Sequence, residues 1–227
     1  MILNKKNTLY ANRWIVDKGL VELTWGNVSC YDRQKNTIYI KPSGVSLDSI
    51  KEEDISSLTI KGSWLSGKKP SVDTPTHLEI YKNFSNVNCI IHTHSKYATI
   101  FAQADMPIPC LGTTHSDYFY GSIPCIKHPN IKEVNSDYEK ETGVGICNYF
   151  ENNKINPLQM GSCLVKGHGV FSWGPNIEKA LEKAYVLELI AEMAYKTIVI
   201  NPSAKLEDFI LDKHFLRKHG ENKYYGQ

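Results

Sequence analysis

The chain has 227 residues, 41% hydrophobic and 22% charged, enough apolar material for a core that needs no staples. Its 26 Lys and Arg against 24 Asp and Glu leave a net charge of +2, with no basic stripe before the C-terminal segment, which argues against a nucleic-acid partner. No apolar run reaches the roughly 18 residues of a membrane span, and the composition excludes collagen, coiled coil and disordered tail.

The segment to about Lys18 reads as a helix that stops near Gly19. Val28–Tyr31 and Thr37–Lys41 are β-rich runs around a polar turn, a hairpin signal. Pro42-Ser43-Gly44 is a turn, Ser57–Ile60 a short strand, and the polar stretch Lys61–Ser71 a loop. Asp73-Thr74-Pro75 opens a helix, with Pro in its first turn and Asp or Thr as cap. Cys89–His94 is a strand, and Lys96–Ala104 and Glu139–Phe150 are helices. Cys163-Leu164-Val165 is a strand interrupted by Gly167-His168-Gly169. Asn176 caps the longest helix, whose Ile177, Ala180, Leu181, Ala184, Leu187, Ala191, Ala194 and Ile198 keep the 3.6-residue period. A last helix covers Leu206–Leu216. Strands and helices alternate without linker or repeat, so a single α/β domain over residues 1–227 is expected.

None of the six cysteines forms a CxxC pair, and the opening Met1-Ile2-Leu3-Asn4-Lys5-Lys6 has no secretory pattern. Reduced cysteines in a cytoplasmic protein are the expectation, with the sequons at Asn27 and Asn83 chance matches. There is no GxGxxG and no Walker loop.

The sharpest chemical signal is His92-Thr93-His94 at a strand end. Residues i and i+2 of a strand face the same way, so both imidazoles can grip one ion. On its own the pair reads equally well as one packed and one solvated histidine. His168, between two glycines that allow close backbone approach, supplies a third nitrogen. Three histidines with an open position suit a catalytic metal. Asp73 is the nearest carboxylate, as fourth ligand, as outer partner of a ligand, or as a plain helix cap. Gly26-Asn27, Lys41-Pro42-Ser43-Gly44 and Lys69-Pro70-Ser71 look like anion-binding turns, although Lys41 alone reads as a surface lysine. Thr113–Tyr120 is dense in polar and aromatic groups and costly to bury without a purpose.

These segments together resemble the L-ribulose-5-phosphate 4-epimerases of the class II aldolase family, essentially end to end. The resemblance is carried by Thr24-Trp25-Gly26-Asn27-Val28-Ser29, Ile40-Lys41-Pro42-Ser43-Gly44, Asp73-Thr74-Pro75-Thr76-His77, His92-Thr93-His94-Ser95, Gly112–Gly121, Gly167-His168-Gly169 and the tail Leu211–Gln227. It implies a three-layer α/β/α sandwich around one mixed, largely antiparallel sheet. It also implies a homotetramer with active sites at subunit interfaces, and a tail of about residues 212–227 closing each site. One zinc ion per subunit would sit on His92, His94 and His168, with Asp73 in the metal set. Where related aldolases have a glutamate base, this chain has Asp73, one methylene shorter, which favours the epimerase. Substrate would be held by Gly26, Asn27, Lys41, Ser43, Gly44, Ser71 and Val72, with His214 and Arg217. Val72 departs from the family's second serine and keeps only its backbone N–H. Asp117 and Tyr225 would be the catalytic acid/base pair. The implied reaction interconverts L-ribulose 5-phosphate and D-xylulose 5-phosphate by retro-aldol cleavage and rejoining of C3–C4, as in L-arabinose degradation or ascorbate catabolism. The alternatives are a fuculose-1-phosphate type aldolase and a non-catalytic zinc-binding protein of the same fold.

Overall fold

A computed structural model describes residues 1–47 and 49–225. The last two residues of the Tyr-Tyr-Gly-Gln tail motif, Gly226 and Gln227, lie outside the described residues. In chain order the helices are α1 (Lys5–Asp17), α2 (Thr74–Asn83), α3 (Lys96–Gln103), α4 (Thr113–Ser116), α5 (Ile131–Asn152), α6 (Pro157–Met160), α7 (Ile177–Ile200) and α8 (Asp208–His219). The strands are β1 (Asn27–Asp32), β2 (Thr37–Ile40), β3 (Ser56–Leu58), β4 (Trp64–Ser66), β5 (Cys89–Thr93), β6 (Cys125–Ile126), β7 (Ser162–Val165) and β8 (Gly169–Gly174). They form one eight-stranded sheet in the order β4-β3-β2-β1-β5-β8-β7-β6. Every pairing is antiparallel except β6 with β7. The expected α/β sandwich around a mixed, largely antiparallel sheet is the architecture found.

The central strands are buried along their whole length, so neither face reads as polar in the sequence. On one face α2 and α5 pack over Trp173, whose ring lies 5.4 Å from Phe84 and 5.2 Å from Phe150. Its indole N–H donates to the Pro157 carbonyl at 2.8 Å, satisfying the polar edge of an otherwise apolar cluster. On the other face Ile15 of α1 and Ile177 and Ala180 of α7 close over Val28, Cys30, Cys89 and Ile91. The Asn12 amide donates to the Val28 carbonyl and accepts from the Val28 N–H, tying α1 to β1. Helices α2 and α5 approach backbone to backbone at Gly143. A Cβ there would stand 2.9 Å from the Thr76 carbonyl oxygen and 2.8 Å from Glu79 Cβ.

Three expectations are corrected. Lys61–Ser71 is not all loop: Trp64–Ser66 is the edge strand β4, exposed throughout, with polar and glycine-containing flanks. The helix expected from Glu139 is present, but a further helical run from Ile131 precedes it across a break at Asp137 (φ −162°, ψ 85°). Lys41 is buried, with 3% exposure, rather than a surface lysine. The capped start of α7 stands as read, with the Asn176 side chain accepting from the Lys179 N–H at 2.9 Å. The six cysteines are all free thiols. No helix among the described residues is long and apolar enough to cross a membrane.

Phe150→Ala should open a cavity beside Trp173 and cost about 3–5 kcal/mol. Urea unfolding followed by tryptophan fluorescence measures this; a loss below about 1 kcal/mol would show that the cluster does not anchor α5.

Candidate metal centre and substrate cavity

His92, His94 and His168 meet because β5 and β8 pair antiparallel, with His92 opposite Phe171 and Thr93 opposite Val170. That register brings the turn before β8 onto the end of β5. A Cβ on residue 169 would lie 2.7 Å from the Thr93 carbonyl oxygen and 3.2 Å from His94 Cδ2, so Gly169 is what lets the turn close. One ligand nitrogen from each histidine lies within 4.8 Å of the other two.

The ring orientations are set by their outer contacts. His92 Nδ1 lies 2.9 Å from the Val170 carbonyl oxygen, which can only accept, so Nδ1 carries the proton and Nε2 the lone pair. The ring is stacked on Phe171 at 4.3 Å. His168 Nδ1 lies 3.3 Å from the Tyr138 hydroxyl, a partner that leaves Nε2 for the cluster. The Nε2 atoms of His92 and His94 are 3.1 Å apart. Two imidazole nitrogens on one tetrahedral zinc ion stand about 3.3 Å apart, so the residues fit a divalent ion of that kind. Burial pushes His92 down to about 4, against the opposing pull of Asp73. Burial also lowers His94 and His168. All three rings are therefore neutral at pH 7, the form that binds a metal.

Around the cluster lies a cavity of about 470 Å³. Gly26, Asn27, Lys41, Ser43, Gly44, Ser71, Val72 and Asp73 all line it beside the histidines. Asp73 does not cap α2 with its side chain. Its Oδ2 instead accepts from the Asn27 amide at 2.7 Å and the Ser71 hydroxyl at 3.3 Å. The group of three close ligand atoms consists of the histidines without Asp73. Burial pushes the Asp73 carboxyl up, but His92, His77, the Asn27 amide and His168 together hold it below its ordinary value. Asn27 Oδ1 is buried without a partner, leaving an acceptor unused. Lys41 Nζ reaches the Thr24 carbonyl at 3.3 Å, and burial lowers the ammonium against the pull of Asp73. The turns carrying Ser43 and Ser71 are braced against each other: the Ser43 N–H donates to Lys69 and the Ser71 N–H to Lys41. The Gly44 and Val72 amides have no such acceptor among the described residues.

Asp117, His214, Arg217 and Tyr225 gather separately, and none of them lines this cavity. Asp117 Oδ1 lies 3.1 Å from both His214 Nδ1 and Arg217 Nη2. The Tyr225 ring lies under the Arg217 guanidinium at 4.3 Å, and the Tyr224 and Tyr225 amides donate to the Arg217 carbonyl. The tail thus folds back on α8. Tyr138 and Glu139 line the histidine cavity and were not singled out in the sequence. A signal existed: the Asp137 carboxylate accepts from the Lys140 N–H, a cap that starts a new helical run at the cavity wall.

Residues 6–195 match the Class II Aldolase and Adducin N-terminal domain. The chain belongs to the class II aldolase/adducin family. Among solved structures, L-fuculose 1-phosphate aldolase superposes with a TM-score of 0.80 at 24% identity, covering 92% of this chain and 93% of that one. YgbL from Escherichia coli gives 0.72 at 18% identity, over 92% and 96%. A sugar-phosphate aldolase from Thermotoga maritima gives 0.66 at 19% identity, over 87% and 95%. These likenesses establish the class II aldolase fold, and the family's use of a divalent metal agrees with the three-histidine group found here.

The buried histidines set an acid limit on the metal-free protein. Burial pushes His77 down to about 3, and His92 and His115 to about 4, whereas unfolded histidine titrates near 6.5. Between those values the unfolded chain binds protons that the folded chain refuses, so stability falls as pH falls from 6.5 towards 4. Each group contributes a slope of about 1.4 kcal/mol per pH unit. Urea unfolding of the chelator-treated protein across this range should show the fall, and His115→Gln should reduce its steepness. A flat profile would contradict the neutral buried state.

Proposed function

We propose that this chain is an L-ribulose-5-phosphate 4-epimerase, joining Asp117 and Tyr225 of one protomer to the histidine cavity of another in a homotetramer. The observation that carries the reading is the pairing of Asp117 and Tyr225 around Arg217. Epimerisation at C4 needs proton exchange on two faces of one oxygen, and this is a two-membered acid/base set. Neither member reaches into its own chain's cavity, so a second copy of the chain supplies them.

C4 of the substrate carries no acidic hydrogen. One group of the pair takes the C4 hydroxyl proton as the C3–C4 bond breaks, giving an enediolate and glycolaldehyde phosphate. The aldehyde rotates, the same bond re-forms on its other face, and the second group protonates the C4 oxygen. Asp73, held by Asn27 and Ser71, is a further carboxylate at the cavity, as an additional ligand or a local acid/base. A divalent ion on the histidines, with zinc suited to these nitrogen donors, supplies Lewis-acid stabilisation of negative charge on substrate oxygens. The phosphate end is assigned to Asn27, Ser43, Gly44, Ser71 and the Val72 amide, with Gly26 and Lys41 beside them. His214 and Arg217 hold Asp117 in position. The free thiols, and a phosphorylated substrate on this reading, support a cytoplasmic location.

The competing reading is a sugar-phosphate aldolase, favoured by the fold likeness to L-fuculose 1-phosphate aldolase. The test is conversion of L-ribulose 5-phosphate to D-xylulose 5-phosphate in a coupled assay, with and without chelator. Tyr225→Phe and Asp117→Asn should each lower the rate by about 10²–10⁴-fold, while slow condensation of dihydroxyacetone with glycolaldehyde phosphate persists. Full epimerisation by Tyr225→Phe, or cleavage of L-fuculose 1-phosphate as the faster reaction, would reject the assignment.

Ser71→Ala should raise KM for the phosphorylated sugar by the equivalent of about 1.5–3 kcal/mol, the worth of a hydrogen bond to a charged group. An unchanged KM would remove Ser71 from the phosphate cradle.

A further inference from the structure

A second cavity, of about 400 Å³, opens between α6, α7 and α8 and shares no lining residue with the histidine cavity. Its walls carry Lys179, Lys183, Lys218, Lys223 and His219 against a single carboxylate, Glu182. That carboxylate is already engaged. It takes Lys179 Nζ at 2.8 Å and the Tyr118 hydroxyl at 3.2 Å. Lys183 Nζ has one acceptor, the Leu158 carbonyl at 2.6 Å, and faces the Phe119 ring at 5.6 Å. Lys218 Nζ lies 3.6 Å from the centre of the Tyr118 ring. Neither ammonium has a carboxylate at ion-pair distance among the described residues.

Withdrawing an ammonium from water without an ion-pair partner is costly, and here Glu182, with Asp117 for Lys218, offsets that cost only in part. Burial pushes Lys183 down to about 8 and moves Lys218 in the same direction. A monocarboxylate would answer only one of these cations. A phosphoryl group carries about −1.5 to −2 at neutral pH and three acceptor oxygens, and so answers both. The remaining wall is Leu158, Pro175 and Phe215 with Tyr118 and the amides of Asn156 and Gln159.

We propose that this basic cavity is a phosphoryl-binding site, distinct from the histidine cavity, in which Lys183 and Lys218 hold the dianion of inorganic phosphate or of a small phosphate monoester. The site adjoins Asp117: His219 lines it, and its Nε2–H donates to the Asp117 carbonyl at 2.8 Å.

Calorimetric titration of the protein as purified with inorganic phosphate tests this. Lys183 also holds the Leu158 carbonyl, so Lys183→Met risks the fold. Lys218 holds no backbone group and is the cleaner probe. Lys218→Gln should weaken one class of phosphate site at least tenfold and leave any Ser71-dependent class untouched, and Lys218→Arg should restore it. A Lys218-dependent site that prefers ribose 5-phosphate identifies a monoester as the ligand; equal affinity identifies free phosphate. Identical titrations for the wild type and Lys218→Gln overturn the proposal, as does a tetramer whose neighbouring copy fills the cavity and leaves only Ser71-dependent binding. The result at Lys218 is independent of the epimerase reading.

Discussion

The antiparallel ladder between β5 and β8 is the constraint on which the site depends. Backbone hydrogen bonds fix Thr93 opposite Val170, and that single register decides which ring nitrogens can share an ion. A slip of one residue would turn His92 to the opposite face of the sheet and separate it from His168. The ladder tolerates no side chain at residue 169, because the Thr93 carbonyl occupies that space. Burial of the strand then keeps the His92 imidazole neutral and ready for a cation. Packing, register and ligand chemistry are one arrangement here.

The same ladder explains why so much of the centre was readable from the sequence. His92 and His94 are two apart at a strand end, and His168 stands between glycines, so local rules single out all three as candidates, while the ligand set came only with the family resemblance. The anion turns at residues 43–44 and 71 were likewise visible as Ser and Gly between strands, and they do converge on the histidines. Other features need contacts that no local pattern carries. Lys41 looks like a surface residue until Asp73, far along the chain, is brought beside it. The edge strand β4 is only three residues, Trp64-Leu65-Ser66, too short to show a period among its glycine- and lysine-rich neighbours. Tyr138 was missed because the break at Asp137 hides it from any continuous helical period.

The candidate site is divided in an instructive way. The histidines and the anion turns stand at the ends of β1, β2, β5 and β8 and just before α2, on a sheet whose central strands are buried. Asp117, His214, Arg217 and Tyr225 belong to α4, α8 and the tail, where only Phe215 of α8 is buried. Arg217 unites that second group. It bonds the Asp117 carboxylate, stacks on Tyr225 and accepts the tail's amides on its own carbonyl. Its Nε is buried without a partner, so the cluster retains unused donor capacity.

The contact at Gly143 bears on how such a cavity can change. Helices α2 and α5 already touch there, so any side chain at residue 143 has to displace one of them. Tyr138 and Glu139, at the cavity wall, stand on the same helical run as Gly143. The space between the two helices is therefore set at a position that lines no part of the cavity, where mutational scans confined to the lining would never look.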